Sequence, residues 1–175
     1  VLNDSLSGSG DNLTVSTTTL NDNANGDATI SISGNDLTFS TNIANIEATF
    51  SGEDVSTSGN TFNENVTYSG TNTDDNNIQN NDFIKNVIVS GSGNDFEGNE
   101  NVVTGNVTIQ AGGSNTIINQ AELNGELSVA AGATGVNVTS ATIALAATFS
   151  GDDLVATGST YTGDLTIQVV DAENN

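Results

Sequence analysis

The chain is 175 residues long and carries 22 acidic residues against a single base, Lys85, for a formal net charge of −21. Phosphate binding needs clustered Lys and Arg, so this charge argues against a nucleic-acid partner and against attraction to an anionic membrane. The chain has no His and no Cys, which excludes imidazole catalysis, thiol chemistry and a disulfide framework. The same acidity suits divalent cations, which prefer oxygen ligands.

The remaining composition predicts an all-β protein. Thr, Val and Ile favour strands, whereas Asn, Gly and Asp favour turns. No apolar run is long enough to span a bilayer, so membrane insertion is not expected. We therefore expect many short strands separated by many turns.

Taken in chain order, the strands belong to a repeat. Most units open with a Ser-Gly turn followed by an acidic and an apolar residue, and each unit closes with a short triplet that is apolar at both ends. The first unit is the longest, because it carries an Asn/Asp-rich insert at residues 21–27. The units span residues 7–30, 33–50, 51–68, 69–89, 90–109, 111–129, 131–149 and 150–167. A period of about 18 to 24 residues is typical of solenoid repeats.

Within a unit, alternation predicts which side chains face inward. The two apolar residues of the closing triplet share one face, and the central residue, most often Thr, lies on the other. Four acidic residues, Asp36, Asp54, Asp95 and Asp153, each precede an apolar residue that we expect to point inward. Further apolar residues are expected to fill the middle of the coils: Ile43, Phe62, Val102, Ile118 and Ile143.

One coil cannot bury its own apolar face, but stacked coils bury a continuous core and pair their backbones as parallel sheets. The sequence thus predicts one domain, residues 1–175, folded as a β-solenoid (parallel β-helix) of about eight coils of roughly 20 residues. Stacked Asn side chains are expected to form hydrogen-bonded ladders at its turns. The alternative is an antiparallel β-sandwich, which explains the alternation but not the nearly constant spacing of the turn signals.

One segment indicates a calcium site. Residues 90–98 resemble the RTX nonapeptide, because Gly91, Gly93 and Asp95 match its pattern, although Ser90 departs from it. In that family, turn carbonyls and stacked Asp side chains bind calcium. The resemblance makes Ca²⁺ a candidate cofactor, and the alternative is that the same residues only cap turns. The candidate ligands are Asp11, Asp36, Asp54, Asn94, Asp95 and Asp153.

The chain as a whole resembles bacterial surface-layer proteins and large RTX-type adhesins. The likeness rests on Gly/Asn/Thr/Ser-rich coils such as residues 136–143, on the scarcity of Lys and Arg, and on the Ser-Gly-Asn-Asp turns. It implies a secreted protein at the cell surface. The spacing near Gly91 is also similar to adhesin repeats that bind ice through ranks of Thr and Asn. We expect the matching position to change from coil to coil, which disfavours ice binding.

These features predict a non-enzymatic structural subunit of an extracellular filament or surface layer. We expect the chain to polymerise with itself, head to tail, through apolar residues at the solenoid ends: Val1, Leu2, Val169 and Val170. The alternative is a spacer or ligand-binding module of a large adhesin, which would recognise a glycan or cell-surface polysaccharide through residues 21–27 or 72–82. A carbohydrate-active enzyme needs only two carboxylates, but the chain has few aromatic residues to bind sugars.

Overall fold

The computed structural model describes residues 1–70, 76–96 and 101–168, and this part of the chain forms short strands and no helix. The first four coils contain β1 (Leu6–Ser9), β2 (Thr14–Ser16), β3 (Thr19–Leu20), β4 (Thr29–Ser33), β5 (Leu37–Ser40), β6 (Ile43–Ala44), β7 (Glu47–Phe50), β8 (Val55–Ser58), β9 (Thr61–Phe62), β10 (Val66–Tyr68), β11 (Asn76–Gln79) and β12 (Asp82–Phe83). The rest contains β13 (Val87–Val89), β14 (Asn94–Phe96), β15 (Val102–Val103), β16 (Val107–Ile109), β17 (Ile117–Asn119), β18 (Glu122–Leu123), β19 (Leu127–Val129), β20 (Asn137–Thr139), β21 (Thr142–Ile143), β22 (Ala147–Phe149), β23 (Val155–Thr157), β24 (Thr160–Tyr161) and β25 (Leu165–Ile167).

Every third strand belongs to the same sheet, and neighbouring strands pair in parallel throughout. Sheet 1 has nine strands, from β1 through β4 to β25. Sheet 2 runs from β2 to β23 and sheet 3 from β3 to β24, with eight strands each. The predicted β-solenoid of about eight coils is confirmed, and the antiparallel sandwich is wrong.

The register shows how evenly the coils stack. Paired residues on consecutive strands of sheet 1 are 24 positions apart in the first step, and then 18, 18, 21, 20, 20, 20 and 18. The longer first step comes from the predicted insert, which lies between β3 and β4. A coil therefore accepts extra residues at a corner without disturbing the strands on either side.

The core is a column of inward side chains from all three sheets. Its aromatic part lies in the coils between β5 and β14, where neighbouring rings contact one another: Phe39, Phe50, Phe62, Tyr68, Phe83 and Phe96. The rings of Phe62 and Phe83 stack with their centroids 5.1 Å apart and an interplanar angle of 6°. Offset aromatic stacking stabilises such pairs beyond the effect of buried area.

Two of the residues expected in the core face outward instead. Ile43 is 45% exposed and Val102 is only partly buried, whereas their neighbours Ala44 and Val103 are buried. The strands of sheet 3 have only two residues. If the inward position is assigned one residue too early or too late, the inward and outward residues are exchanged. Asn42 takes the buried position just before β6, which turns Ile43 to solvent. The other three predicted core residues, Phe62, Ile118 and Ile143, are buried.

Buried asparagines hold the corner between sheets 2 and 3. In the buried asparagine ladder, Asn42, Asn60, Asn81 and Asn101 stack in four successive coils. Each backbone N–H donates to the Oδ1 of the next asparagine, at 2.9 to 3.1 Å. Each Nδ2 donates to a backbone carbonyl of the coil before, as Asn60 does to Phe39 at 2.8 Å. The expected ladder at the turns is confirmed.

Glycines let the coils approach closely at the corner between sheets 1 and 2. A Cβ added to Gly52 would lie 2.0 Å from the carbonyl oxygen of Gly34, and one added to Gly70 would lie 2.4 Å from that of Gly52. Because the next coil occupies this space, the Ser-Gly signature of the sequence marks backbone stacking as well as a turn.

Candidate assembly surface

The last described turn of the solenoid, β23 to β25, exposes side chains at positions that are buried in the coils from β4 to β22 and partly buried in the first coil. Leu165 pairs with Ala147, and Ile167 pairs with Phe149. Ala147 and Phe149 are fully buried, whereas Leu165 is 47% and Ile167 57% exposed. A strand inside the stack is covered by a neighbour on each side, and β25 has one on only one side among the described residues. We call Leu165, Ile167 and the exposed inward residue Ala156 the open end.

A polar group at this end also lacks a partner. Asp152, at the corner that leads into β23, has a buried Oδ1 with no hydrogen bond within the described part of the chain. A buried carboxylate oxygen is unfavourable unless a donor or a cation satisfies it. The open end is therefore incomplete in polar as well as apolar contacts.

The inward side chains of the first turn are better covered than those of the open end. A Cβ added to Gly8 would lie 2.5 Å from Cδ2 of Leu13, so the Leu13 side chain fills the space that an inward side chain would take. Leu2 extends sheet 3 by one residue, since its N–H donates to the carbonyl of Thr19 at 2.9 Å and its carbonyl accepts from the N–H of Asn21 at 2.8 Å. The two ends of the solenoid thus differ, and the apolar surface is concentrated at the open end.

The predicted assembly residues lie at or beyond these ends. Val1 is 89% exposed and Leu2 is partly buried against the core. Val169 and Val170 lie outside the described residues. Leu165 and Ile167 were not predicted as assembly residues, although they form the final closing triplet with Thr166. Their exposure follows from position, because among the described residues β25 is covered by a neighbouring strand on one side only.

The predicted calcium ligands are not brought together in one place. Asp36, Asp54 and Asp153 occupy the same corner position before sheet 2, with φ of 53°, 52° and 51°. This left-handed conformation favours Gly, Asn and Asp, so the turn-forming interpretation suits them. Asp36 and Asp54 lie on adjacent coils, whereas Asp153 lies near the open end and Asp11 in the first turn.

The RTX-like segment has a different register from the other turns. Gly93 takes the left-handed position at φ 70°, and Asn94 points inward, where Leu37 and Val55 stand in earlier coils. Asn94 is fully buried, donates from Nδ2 to the carbonyl of Gly91 at 3.0 Å and accepts from Nδ2 of Asn76 at 3.1 Å. Asp95 lies on β14, between Asn77 and Ile117. Asn94 thus takes the place that the sequence pattern gave to Phe96. Because the two residues are two positions apart on a strand, both point inward.

Asn94 makes its hydrogen bonds within the protein. No group of three acidic side chains close enough to hold a metal ion occurs among residues 1–70, 76–96 and 101–168. Calcium binding stays a prediction that single turns or junctions between chains would have to satisfy.

The two predicted recognition loops have different structures. Residues 21–27 form a loop whose polar groups bond to each other: Asp22 Oδ1 accepts from the N–H groups of Asn23 and Ala28, and Asn23 Nδ2 donates to Asp27. In the second, residues 76–79 form β11 and Asp82 begins β12, whereas residues 72–75 lie outside the described residues. Asn76 explains the difference, since its buried amide bonds to the N–H of Val55 at 2.8 Å and so fits inside a strand.

No protein-family model, curated protein or solved structure matches the chain. Within the described part of the chain, no helix is long and apolar enough to cross a membrane.

Proposed function

We propose that the chain is a structural subunit of an extracellular bacterial assembly, and that a second copy stacks on the open end to elongate the solenoid. The observation that carries this proposal is the exposure of Leu165 and Ile167 at positions that are otherwise core. Covering each half-exposed side chain would contribute about 1 kcal/mol.

Backbone pairing favours the same contact. A parallel strand edge without a neighbour offers N–H and C=O groups to another chain. A contact that joins different surfaces of two copies does not close on itself, so it propagates into a filament. An isologous contact between two open ends would instead stop at a dimer.

Charge opposes assembly and makes it dependent on salt. Both ends carry acidic residues, with Asp4 and Asp11 near the first turn and Asp153 and Asp164 near the last. Apposed exposed carboxylates repel each other, and added salt screens that repulsion within a Debye length of about 10 Å at 0.1 M. We therefore expect elongation to increase with ionic strength, and divalent cations to be more effective than monovalent ones.

The test is electron microscopy and sedimentation of the concentrated protein in calcium and in chelator. We expect filaments of the wild type, which the Ile167→Glu variant loses because a carboxylate replaces the exposed apolar side chain. The matched control is Val155→Glu, which adds the same charge on the outward face of the same turn and should still elongate. Circular dichroism checks that both variants remain folded.

Wild-type protein that stays as single rods about 40 Å long at every concentration and salt would contradict the proposal. It would favour the second candidate, a spacer or ligand-binding module of a larger adhesin. The same open end supports that candidate, since further coils of one longer polypeptide would cover it equally well. The non-enzymatic role and the cell-surface location stay predictions from composition.

A further inference from the structure

Two outward ranks of sheet 1 are rich in hydroxyl groups and contain no charged residue. The central rank has one residue from each of the nine strands, and eight of the nine are Ser or Thr: Ser7, Ser31, Thr49, Thr67, Ile88, Thr108, Ser128, Thr148 and Thr166. The rank beside it has six Ser among its nine residues: Ser9, Ser33, Ser51, Ser69, Ser90, Gln110, Ala130, Ser150 and Gln168. We call these two ranks the hydroxyl face.

The residue in the central rank changes among Ser, Thr and Ile from coil to coil, as expected, but its place on the sheet is constant. The closing triplets have different flanking residues, but their central residues fall in one register on sheet 1. Neighbouring hydroxyls are therefore spaced by the strand separation of about 4.8 Å, and the two ranks lie about 7 Å apart.

Charge is absent from this face although the chain is strongly acidic. None of the eighteen positions is charged, whereas the outward rank of sheet 3 contains Asp82 and Glu122. Carboxylates stand in the third outward rank of this sheet, on the other side of the central rank, where Glu47, Glu126 and Asp164 precede the first inward residue of their strands. The two ranks without charge avoid the like-charge repulsion that opposes contact between copies of an acidic chain.

The hydroxyls of the central rank are also free of partners. Among the described residues, no hydrogen bond joins the side chains of Thr49, Thr67, Thr108 or Thr148 to another group of the chain. The corner asparagines, by contrast, use their amides in ladders. The face therefore presents donors and acceptors that water or another surface must satisfy.

We infer that the hydroxyl face is the lateral contact between copies of this chain, and that two solenoids pack there face to face. Two like-charged rods repel wherever their carboxylates meet, so the uncharged face is where they can approach. Its identical axial spacing in both copies lets side chains interdigitate in register, as they do between paired sheets of steric zippers. This inference rests on the proposed structural function and adds the contact that turns a filament into a bundle or layer.

The size of the face sets the expected strength. It measures roughly 40 Å by 13 Å, so face-to-face packing would bury about 1,000 Å² in total, at the lower limit of specific interfaces. A single pair of copies should therefore associate weakly. Copies already joined end to end would present many such contacts at once, and association would be much tighter through avidity.

The experiment compares wild-type protein with a variant that places charge at the centre of the face, Thr67→Glu with Thr108→Glu. The control is Thr61→Glu with Thr142→Glu, which adds equal charge to the outward rank of sheet 3. Filament width by electron microscopy and self-association by sedimentation velocity are measured in the same salt. We expect bundles or layers of wild type and control, single filaments of unchanged length for the variant, and at least tenfold weaker lateral association.

The possible failures can be told apart. Wild-type filaments that remain one solenoid wide, or a variant that bundles as well as the wild type, would overturn the lateral contact and leave elongation standing. Side-by-side dimers without filaments, lost in the variant, would support the contact and contradict the proposed elongation. If the wild type stays single but shapes growing ice crystals, and the variant does not, the face binds ordered water and self-association is wrong.

Discussion

Tyr68 shows what a single polar group requires inside this core. Its ring is fully buried, and its Oη lies 2.9 Å from Oγ1 of Thr57, which is buried as well. Asn81 of the buried asparagine ladder donates to the carbonyl of Thr57 at 2.9 Å. The hydroxyl is thus tied to the corner of the next coil, so the polar atoms at the centre of the solenoid satisfy one another.

Burial raises the pKa of Tyr68 well above its ordinary value, while the bond to Thr57 acts in the opposite direction. The folded state holds the neutral form, so this contribution to stability is complete below about pH 10 and declines as the pH rises further and the unfolded state ionises. We expect thermal stability to hold up to about pH 10 and to fall as the pH rises further, with a smaller fall in Tyr68→Phe.

At neutral pH the same substitution should cost about 1 kcal/mol, the usual contribution of one hydrogen bond. Burial also raises the pKa of Tyr161, the only other tyrosine, so some alkaline loss should persist in the variant. An equal loss of melting temperature in variant and wild type would show that Tyr68 is not the group responsible.

At the scale of the element, the buried asparagine ladder should contribute more to the free energy of unfolding than a ladder that water can reach. Asn60→Ala removes a donor to Phe39 and to Asn81 and leaves the buried N–H of Asn42 without its acceptor. We expect a loss of about 3 kcal/mol in unfolding free energy, since an unsatisfied buried group costs about 1 to 3 kcal/mol. Urea denaturation measures this loss.

A second ladder in the same coil supplies the control. Asn63 Nδ2 donates to Oδ1 of Asn45 at 2.6 Å, on the outer side of the corner between sheets 3 and 1. Water can replace that bond, so Asn63→Ala should cost less than about 1 kcal/mol. Equal losses in the two variants would mean that the buried ladder has no special role.

The elements that could be predicted from sequence are those whose signal repeats. The Ser-Gly turn and the closing triplet recur in most coils, so the solenoid, its period and the insert after Leu20 could be read directly. The inward residues of sheet 3 could not be identified from sequence, because its strands have only two residues. A pair such as Ile43-Ala44 is too short to show an alternation of apolar and polar residues. The register around Asn94 could not be predicted either, because asparagine is typical of turns. Its inward position is explained only by its hydrogen bond to the buried Asn76.

The proposed assembly surfaces belong to the scale of the whole molecule, which explains why they were harder to predict. Leu165 and Ile167 are exposed because no described strand covers β25 on its outer side, and the hydroxyl face depends on nine strands in register. Neither property exists in one repeat.

The same neighbour-by-neighbour stacking predicts how stability varies along the rod. In a solenoid each coil contacts only its neighbours, so local opening follows the packing of each coil rather than a global average. We expect the slowest amide exchange between β5 and β14, where the aromatic side chains pack, and the fastest exchange in β23 to β25, where the inward residues are exposed.

Hydrogen exchange measured at low and at high protein concentration then links stability to assembly. Stacking of a second copy on the open end would cover β25, so protection of residues 155–167 should increase with concentration while that of β5 to β14 stays unchanged. The Ile167→Glu variant should lack the increase. Uniform protection of amides along the rod would contradict the view that each coil is stabilised only by its neighbours. If protection differs along the rod but never changes with protein concentration, the open end is not where copies meet.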